Sequence, residues 1–542
     1  MDRHWHRLLF ALSYRSIGLW PAGSSSSERA GSSRSGGHDG ALAAGREIGS
    51  TEPRQLAMRV IWRKMVGPRS ACQETGARGG AGLLRNVLQV GAVGAIDIGF
   101  SLTSNILFPR TVPKAEFAAY RMFLLYAGYA GIFHFGLLDG LYLRVVGHDA
   151  EDVPAELVSR VRRSLWVLQC LASFAIVPLL LRFRIPDASI SLPVVLVGTI
   201  VATNLLTFYT GLLQATNHFS LVARTVAGPR VVGVVAAIVL IVLGVATALR
   251  LALCVLTPVL VSVVLLGGSS RSMPWRGKGG ESEPGRVALL GVWRDGVALF
   301  LGNMGITTSL TAGTLMASLV LERRAFADYA FAAGICSLMF VGFEWLAVAA
   351  APLHARFVRT GSASAEWERF LLALMWLSPT VYWGAVLVVH FYLPSYEASL
   401  GLLVWFAGSL PFVGIVRTRA ATVCRATGRQ DVYFRLGGFG AMLVGSTVVA
   451  AWAAGGSATW IAAGWAVSFA VLGSTVWLVV ARGGRLPDLQ GDTILVISAA
   501  AVALAFAVVH LVPNGAVSLA AYVAVGAVGF ELGRRSLAGR SA

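Results

Sequence analysis

The sequence predicts an all-α polytopic membrane protein with about 14 transmembrane helices, and three observations lead to this prediction. Hydrophobic residues make up 56% of the 542 residues, charged residues only 13%, and the mean hydropathy is +0.69. Soluble domains average about 45–50% apolar and about 25% charged residues. From Leu83 onward, apolar runs recur at lengths near the roughly 20 residues that cross a bilayer. The loops between the runs are alternately rich and poor in arginine.

The apolar runs give approximate bounds for each predicted span. The least certain division separates the fifth span from the sixth, near Arg250. The predicted spans are 87–108, 117–138, 164–183, 191–213, 227–247, 249–267, 295–318, 327–350, 370–391, 399–421, 433–453, 459–481, 493–512 and 514–532.

The spans divide the chain into five predicted regions. Residues 1–82 are rich in Ser, Gly and Arg without an apolar period, which is typical of a disordered extension. Residues 83–267 form an N-terminal six-helix lobe, and 295–481 form a second one. The Gly- and Ser-rich segment 268–294 is a linker between them. Residues 482–542 add two further helices and a short tail.

Arginine placement predicts the orientation and explains the basic charge. The net charge of +18 could indicate nucleic acid binding. The arginines instead concentrate in alternate loops, as the positive-inside rule describes, so we expect no nucleic acid partner. With the arginine-rich loops in the cytoplasm, both termini are cytoplasmic, and the protein is a multi-pass protein of the cell membrane. The outer connections are all short, which argues against an external catalytic domain.

An internal repeat relates the two lobes. Ser101-Leu102-Thr103 recurs as Ser309-Leu310-Thr311, and Phe117 with Tyr120 recurs as Phe326 with Tyr329, each about 210 residues later. Six helices per copy give both copies the same topology. They should be related by an axis along the membrane normal, with a central cleft between two bundles.

Polar side chains form stripes on the first helix of each lobe. Asp97 and Ser101 share one stripe, with Asn105 beside it, and Asn303, Thr307 and Thr311 form the equivalent stripe on the seventh helix. Such stripes indicate either the walls of a hydrated cavity or hydrogen bonds between helices. The ionisable Asp97 favours the cavity interpretation.

Three further ionisable residues lie in spans and are candidates for the cleft. His134 and Glu344 stand at equivalent depths of the two copies, where they could pair, relay protons or bond within their own bundles. Arg121 begins the second span and could bind an anionic group or extend outward to the interface.

Several classes of activity lack their motifs. Gly277-Lys278 has neither the upstream Gly nor the following Ser or Thr of a nucleotide-binding loop. The five cysteines show no metal-ligand spacing. We therefore expect no enzyme activity, no cofactor and no metal site.

Two segments resemble a known family. Gly136-Leu137-Leu138-Asp139-Gly140-Leu141-Tyr142 and Leu213-Gln214-Ala215-Thr216-Asn217-His218-Phe219 are similar to the polysaccharide flippases (Wzx-like) of the MATE/MOP superfamily. The run from Trp293 to Asn303, continuing through Ala327-Asp328-Tyr329-Ala330-Phe331-Ala332, is similar to the seventh and eighth helices of that family. The resemblance covers about Leu83 to Arg485.

The resemblance implies a translocase that moves a polyprenyl-diphosphate-linked oligosaccharide to the outer leaflet by alternating access. It also implies a cavity lined by the first, second, seventh and eighth helices, whose basic residues meet the diphosphate. Polysaccharide polymerases or glycosyltransferases are candidate partners. The alternative is a cation-coupled multidrug or metabolite antiporter of the same superfamily, for which Asp97 would be the ion site.

Overall fold

A helix occurs at each of the predicted span positions. The computed structural model describes residues 94–538 except 147, 149, 183–190, 217, 272–284, 361–364, 421–423, 425–429, 483–488 and 511–514. The predicted N-terminal extension, residues 1–82, lies outside these. No strand occurs among the described residues, so the chain is all-α there.

The helices of the first lobe are labelled α1 to α6. Helix α1 spans 94–111 and contains a π-helical turn over Thr103–Leu107. Helix α2 has two parts, α2a (Lys114–Gly128) and α2b (Leu137–Val145), joined by a 3-10 segment over Ala130–His134. The others are α3 Ala155–Arg182, α4 Ser191–Ala215, α5 Phe219–Val242 and α6 Ala248–Arg271.

The remaining helices are labelled α7 to α14. They are α7 Gly285–Val320, α8 Arg323–Thr360, α9 Ala365–Leu377 with Val381–Phe391, α10 Ser399–Ile415 with a π-helical turn over Val416–Ala420, α11 Gln430–Gly455, α12 Ala458–Arg482, α13 Leu489–His510 and α14 Gly515–Ala538. Helices α7, α10, α11 and α12 pack together as the second lobe, and α13 and α14 pack on α9 and α10.

Length and hydropathy make this a multi-pass membrane protein. Eight described helices are long and apolar enough to cross a membrane, or nine when the bent pair Lys114–His134 and Leu137–Val145 is one span. Such helices satisfy their own backbone hydrogen bonds, which the bilayer core requires.

Several predicted bounds need correction, and three of them matter here. The fifth span begins at Phe219 rather than 227, so Arg224 belongs to helix α5 and not to a loop. The seventh begins at Gly285 rather than 295. The second is not one continuous helix over 117–138. Helices extend beyond the apolar segments because their backbone hydrogen bonds do not depend on hydropathy. Apolar content alone therefore misplaces the helix ends.

Glycine permits the close crossing of α7 and α11 in the second lobe. A Cβ on Gly437 would lie 2.9 Å from the Cα of Gly302, and a Cβ on Gly305 would lie 2.7 Å from the Cα of Gly437. Small residues let membrane helices approach closely and gain van der Waals contact. The neighbouring Gly438 has open space around the same position.

These adjacent glycines give a matched test of the crossing. We expect Gly437→Ala to lower the unfolding free energy by about 1–3 kcal/mol, because the added methyl has to push two helices apart. Gly438→Ala should be neutral or stabilise by up to about 1 kcal/mol, since alanine favours a helix over glycine. Thermal unfolding of the detergent-solubilised proteins measures both. Equal midpoints for the two variants would contradict the packing argument.

Candidate functional site

The two lobes contact each other at the end predicted to face outside. Lys114 at the start of α2a donates to the Asp328 carboxylate of α8, with Nζ and Oδ1 2.6 Å apart. The same Nζ lies 4.8 Å from the ring centroid of Tyr396, which packs edge-on against Phe117. Burial and the nearby Asp328 carboxylate raise the pKa of Tyr396, so its hydroxyl stays neutral. We call this group the outer contact.

Arg121 lies behind the outer contact, on the side toward the membrane centre. Its Nη1 donates to Oδ1 of Asn105 on α1 at 2.8 Å, and Asn105 Nδ2 donates to the Ser101 carbonyl at 2.7 Å. A Cβ on Gly334 of α8 would lie 3.0 Å from the Arg121 guanidinium carbon. The Arg121 side chain therefore bonds to α1 of its own lobe and lies beside α8 of the opposite lobe. The alternative that it extends outward to the interface is not what the structure has.

Helix α2 breaks near residue 138, where the sequence predicted the end of the second span. Phe135 and Gly136 have φ of 48° and 83°, and the axes on either side differ by 64°. The left-handed region suits glycine but costs other residues free energy, so the surrounding structure has to impose it on Phe135.

Two buried side chains support this break. Gln169 of α3 donates to the Phe133 carbonyl at 3.0 Å, and Asn204 of α4 donates to the Ala130 carbonyl at 2.9 Å. Each of the two donors is only 1% exposed. A carbonyl left unpaired at this depth would cost several kcal/mol, so the first lobe is built to hold α2 broken.

Polar contacts join α2 to α7 of the opposite lobe on both sides of the break. The Tyr129 hydroxyl and Thr311 Oγ1 are 2.5 Å apart, and Thr311 donates its own proton to the Thr307 carbonyl. Asn303 Nδ2 donates to Asp139 Oδ1 at 3.2 Å. The amide oxygen of Asn303 in turn accepts from the Tyr433 hydroxyl of α11 at 3.0 Å.

The lobes meet again at the end predicted to face the cytoplasm. A Cβ on Gly140 of α2b would fall on the Val292 carbonyl of α7, and one on Gly296 would lie 2.7 Å from the Gly140 Cα. Arg144 Nε donates to Asp295 Oδ2 at 2.8 Å. We call this group the inner contact.

Asp97 is not a free carboxylate. Nη1 of Arg230, on α5, contacts both of its carboxylate oxygens. Both side chains are about one third exposed, at 35% for Asp97 and 30% for Arg230. The predicted polar stripe on α1 therefore includes an ion pair within the first lobe.

His134 lies at the break and contacts the opposite lobe. Its ring centroid is 5.4 Å from that of Phe300 on α7, and its Nδ1 is 3.9 Å from Asp139 Oδ2. The backbone of Glu344 is part of α8, but its side chain is outside the described part of the structure. The suggested pairing of His134 with Glu344 stays a prediction.

Sequence reasoning missed several residues that bridge helices. Asp139 stands out in the sequence only as part of the segment Gly136 to Tyr142, and Tyr433 is marked by no pattern in the sequence. Arg144 lies outside every predicted span and Arg230 lies inside the fifth, and nothing in the sequence marks either as a residue that bridges helices. Among the described residues, no group of three or more His, Cys, Asp or Glu is placed to hold a metal ion.

No protein-family model and no curated protein matches the chain. Solved structures that share its fold include "Lipid II flippase MurJ, inward closed conformation", at 12% identity over 82% of this chain and 98% of that chain, with a TM-score of 0.53. An outward-facing multidrug resistance MATE family transporter of the MOP superfamily matches at 13% identity over 76% and 96%, with a TM-score of 0.50. MATE in complex with MaL6 matches at 14% identity over the same shares, also at 0.50. These likenesses establish the fold.

Gly334 provides a test of the outer contact. We expect a cysteine pair replacing Lys114 and Asp328 to be joined by a short bifunctional thiol reagent in a background without other cysteines. Gly334→Val should reduce this cross-linking at least threefold, because its side chain overlaps Arg121 and Asn105 and holds the lobes apart. Gly342→Val, two turns along α8 where open space surrounds the Cβ position, is the control. Unchanged cross-linking in Gly334→Val would contradict the contact.

Proposed function

We propose that the protein moves a polyprenyl-diphosphate-linked oligosaccharide from the inner to the outer leaflet of the cell membrane by alternating access. The fold shared with a lipid II flippase and with MATE transporters supports a transporter. The sequence motifs that resemble polysaccharide flippases support the glycolipid within that class. No covalent step is required, so we propose that the chain is not an enzyme.

The charge on Arg121 is the observation that carries the proposal. Its guanidinium has a neutral amide as its hydrogen-bond partner and no carboxylate partner among the described residues. Lys114, Arg144 and Arg230 each pair with a carboxylate. An unpaired cation inside a membrane protein costs several kcal/mol unless an anion or water compensates it. A diphosphate entering between the lobes supplies that compensation.

The two lobe contacts support alternating access. The outer and inner contacts are at opposite ends of α2, and each joins it to the opposite lobe, through α8 and α7 respectively. Both are formed in this arrangement, which therefore corresponds to an occluded state. Opening one contact while the other stays closed gives access from one side only.

The alternative of a cation-coupled antiporter meets an obstacle at its proposed ion site. A coupling cation needs the Asp97 carboxylate, and Arg230 occupies both of its oxygens. A cation would have to displace a guanidinium that already neutralises the carboxylate. The antiporter is therefore the second candidate.

The remaining parts of the proposal concern layout and partners. We place a first lobe at 83–267, a second lobe at 295–481 and two extra helices at 482–542, with a linker at 268–294 into which the ends of α6 and α7 extend. Both termini face the cytoplasm in this scheme, following the arginine-rich loops. A polysaccharide polymerase or glycosyltransferases would supply or consume the lipid-linked glycan.

A deletion strain tests the function. We expect lipid-linked oligosaccharide to accumulate on the cytoplasmic leaflet and surface glycan to fall. In complementation, Arg121→Gln should lower glycan export at least tenfold, because one charge-assisted hydrogen bond to phosphate is lost. Arg250→Gln, at an exposed turn where Arg250 donates to the Val245 carbonyl, should behave as the parent. Normal surface glycan in the deletion strain would rule the function out.

A charge exchange distinguishes the two candidates at Asp97. We expect Asp97→Asn to lower the unfolding free energy by about 1 kcal/mol, since this partly exposed pair is screened by water. Exchanging the charges, with Asp97→Arg and Arg230→Asp together, should restore both stability and glycan export. Thermal unfolding and complementation measure the two effects. Proton- or sodium-driven drug efflux that Asp97→Asn abolishes and the exchange does not restore would favour the antiporter.

A further inference from the structure

Hydrogen-bonding side chains line the boundary between α2 and α7. We define the polar seam as Tyr129, His134 and Asp139 of α2 with Asn303 and Thr311 of α7. Thr311 and Asn303 are eight residues apart, about 12 Å along the helix. All but His134 are half-buried rather than buried. It differs in this from the second lobe's interior, where Ser309 is completely buried.

Two bonds of the seam join the two lobes. Tyr129 bonds to Thr311, and Asp139 bonds to Asn303. Separation of α2 from α7 breaks both. Polar groups uncovered at membrane depth need new partners, because leaving them unpaired costs free energy. Water or the hydroxyl and amide groups of an entering molecule can supply these partners.

The chemistry of the seam suits sugar rings better than a diphosphate. It presents two hydroxyls, one amide, one imidazole and one carboxylate, which together donate and accept hydrogen bonds. The Asp139 carboxylate repels an anion, whereas it readily accepts bonds from sugar hydroxyls. Phe300 adds an aromatic ring beside His134. The positive group suited to phosphate, Arg121, lies two turns before Tyr129 on α2.

His134 has a donor that nothing described accepts. The Gly136 backbone N–H donates to His134 Nδ1 at 3.2 Å, so a neutral ring has its proton on Nε2. Nε2 has no hydrogen-bond partner among the residues that the structure describes, although the residue is only 8% exposed. The break in α2 thus holds an imidazole donor without a protein partner among the described residues, on a ring that packs against Phe300 of α7.

We propose that the polar seam binds the sugar part of the substrate and that sugar hydroxyls replace the bonds between the lobes. Sugar binding and separation of α2b from α7 are then one event, because the same side chains serve both. The charged lipid without its sugar binds at Arg121 but does not open the seam. This inference rests on the proposed function and names the part of the substrate that each group recognises.

Binding measurements on the full-length protein in lipid nanodiscs test the proposal. The two probes are a short-chain polyprenyl diphosphate bearing a disaccharide and the same lipid without sugar. We expect Asn303→Leu and Thr311→Val each to weaken binding of the sugar-bearing lipid about tenfold, because each removes partners for sugar hydroxyls. Binding of the bare lipid should stay within about twofold of the parent, which also shows that the variants are folded.

Two controls separate the outcomes. Ser309→Ala is on α7 but faces α11 and α12, so it should leave both affinities unchanged. Arg121→Gln should weaken both lipids alike. Equal losses for both lipids in the seam variants, or no loss for either, would overturn the sugar assignment while leaving the flippase intact. Failure of the parent protein to bind either lipid would instead overturn the proposed function.

Discussion

Helix α2 contacts the opposite lobe on both sides of its break. The break allows the two halves of α2 to point in different directions and to contact different helices. α2a meets α8 at the outer contact, and α2b meets α7 at the inner contact. The axes of α2a and α2b differ by 64°, and a straight helix could not make both contacts in this arrangement of the lobes. The break frees backbone carbonyls, and Gln169 and Asn204 are buried in the first lobe to pair them. The core of α3 and α4 is thus arranged around a discontinuity in their neighbour, and the polar groups of the lobe boundary take their positions from it.

The repeat gives the two lobes common packing but different chemistry. Phe117 and Tyr120 are completely buried at the start of α2, as Phe326 and Tyr329 are at the start of α8. Yet α8 runs unbroken from Arg323 to Thr360, and Ala330 stands where α2 has Arg121. The copies keep apolar positions because both need the same helix packing. The break and the arginine at this position belong to one copy alone, so the two sides of the lobe boundary differ in chemistry.

Hydropathy could predict the helices because the bilayer imposes both their length and their internal hydrogen bonding. It could not predict the break, since Gly136 within an apolar run looks the same at a helix end as at a bend. Phe135 gives no warning either, because an aromatic residue rarely adopts a left-handed backbone. Arg224 was misplaced for a related reason, because α5 begins at Phe219, before the apolar run that defined the span. The direction of Arg121 depends on Gly334, which is more than two hundred positions away in the sequence and leaves room for a guanidinium only once the lobes meet.

Charge balance then limits what can pass between the lobes. Lys114 with Asp328, Arg144 with Asp295 and Arg230 with Asp97 are each neutral as pairs. Arg121, near the outer end, has no carboxylate partner among the described residues, whereas the inner side of the break carries the hydrogen-bonded amide of Asn303 and carboxylate of Asp139. The separation favours an elongated molecule with an anionic group at one end and uncharged hydrogen-bonding groups at the other. A compact cation of the kind that a drug antiporter exports would meet repulsion at Arg121. A sugar linked through a diphosphate has the complementary arrangement of charge along its length.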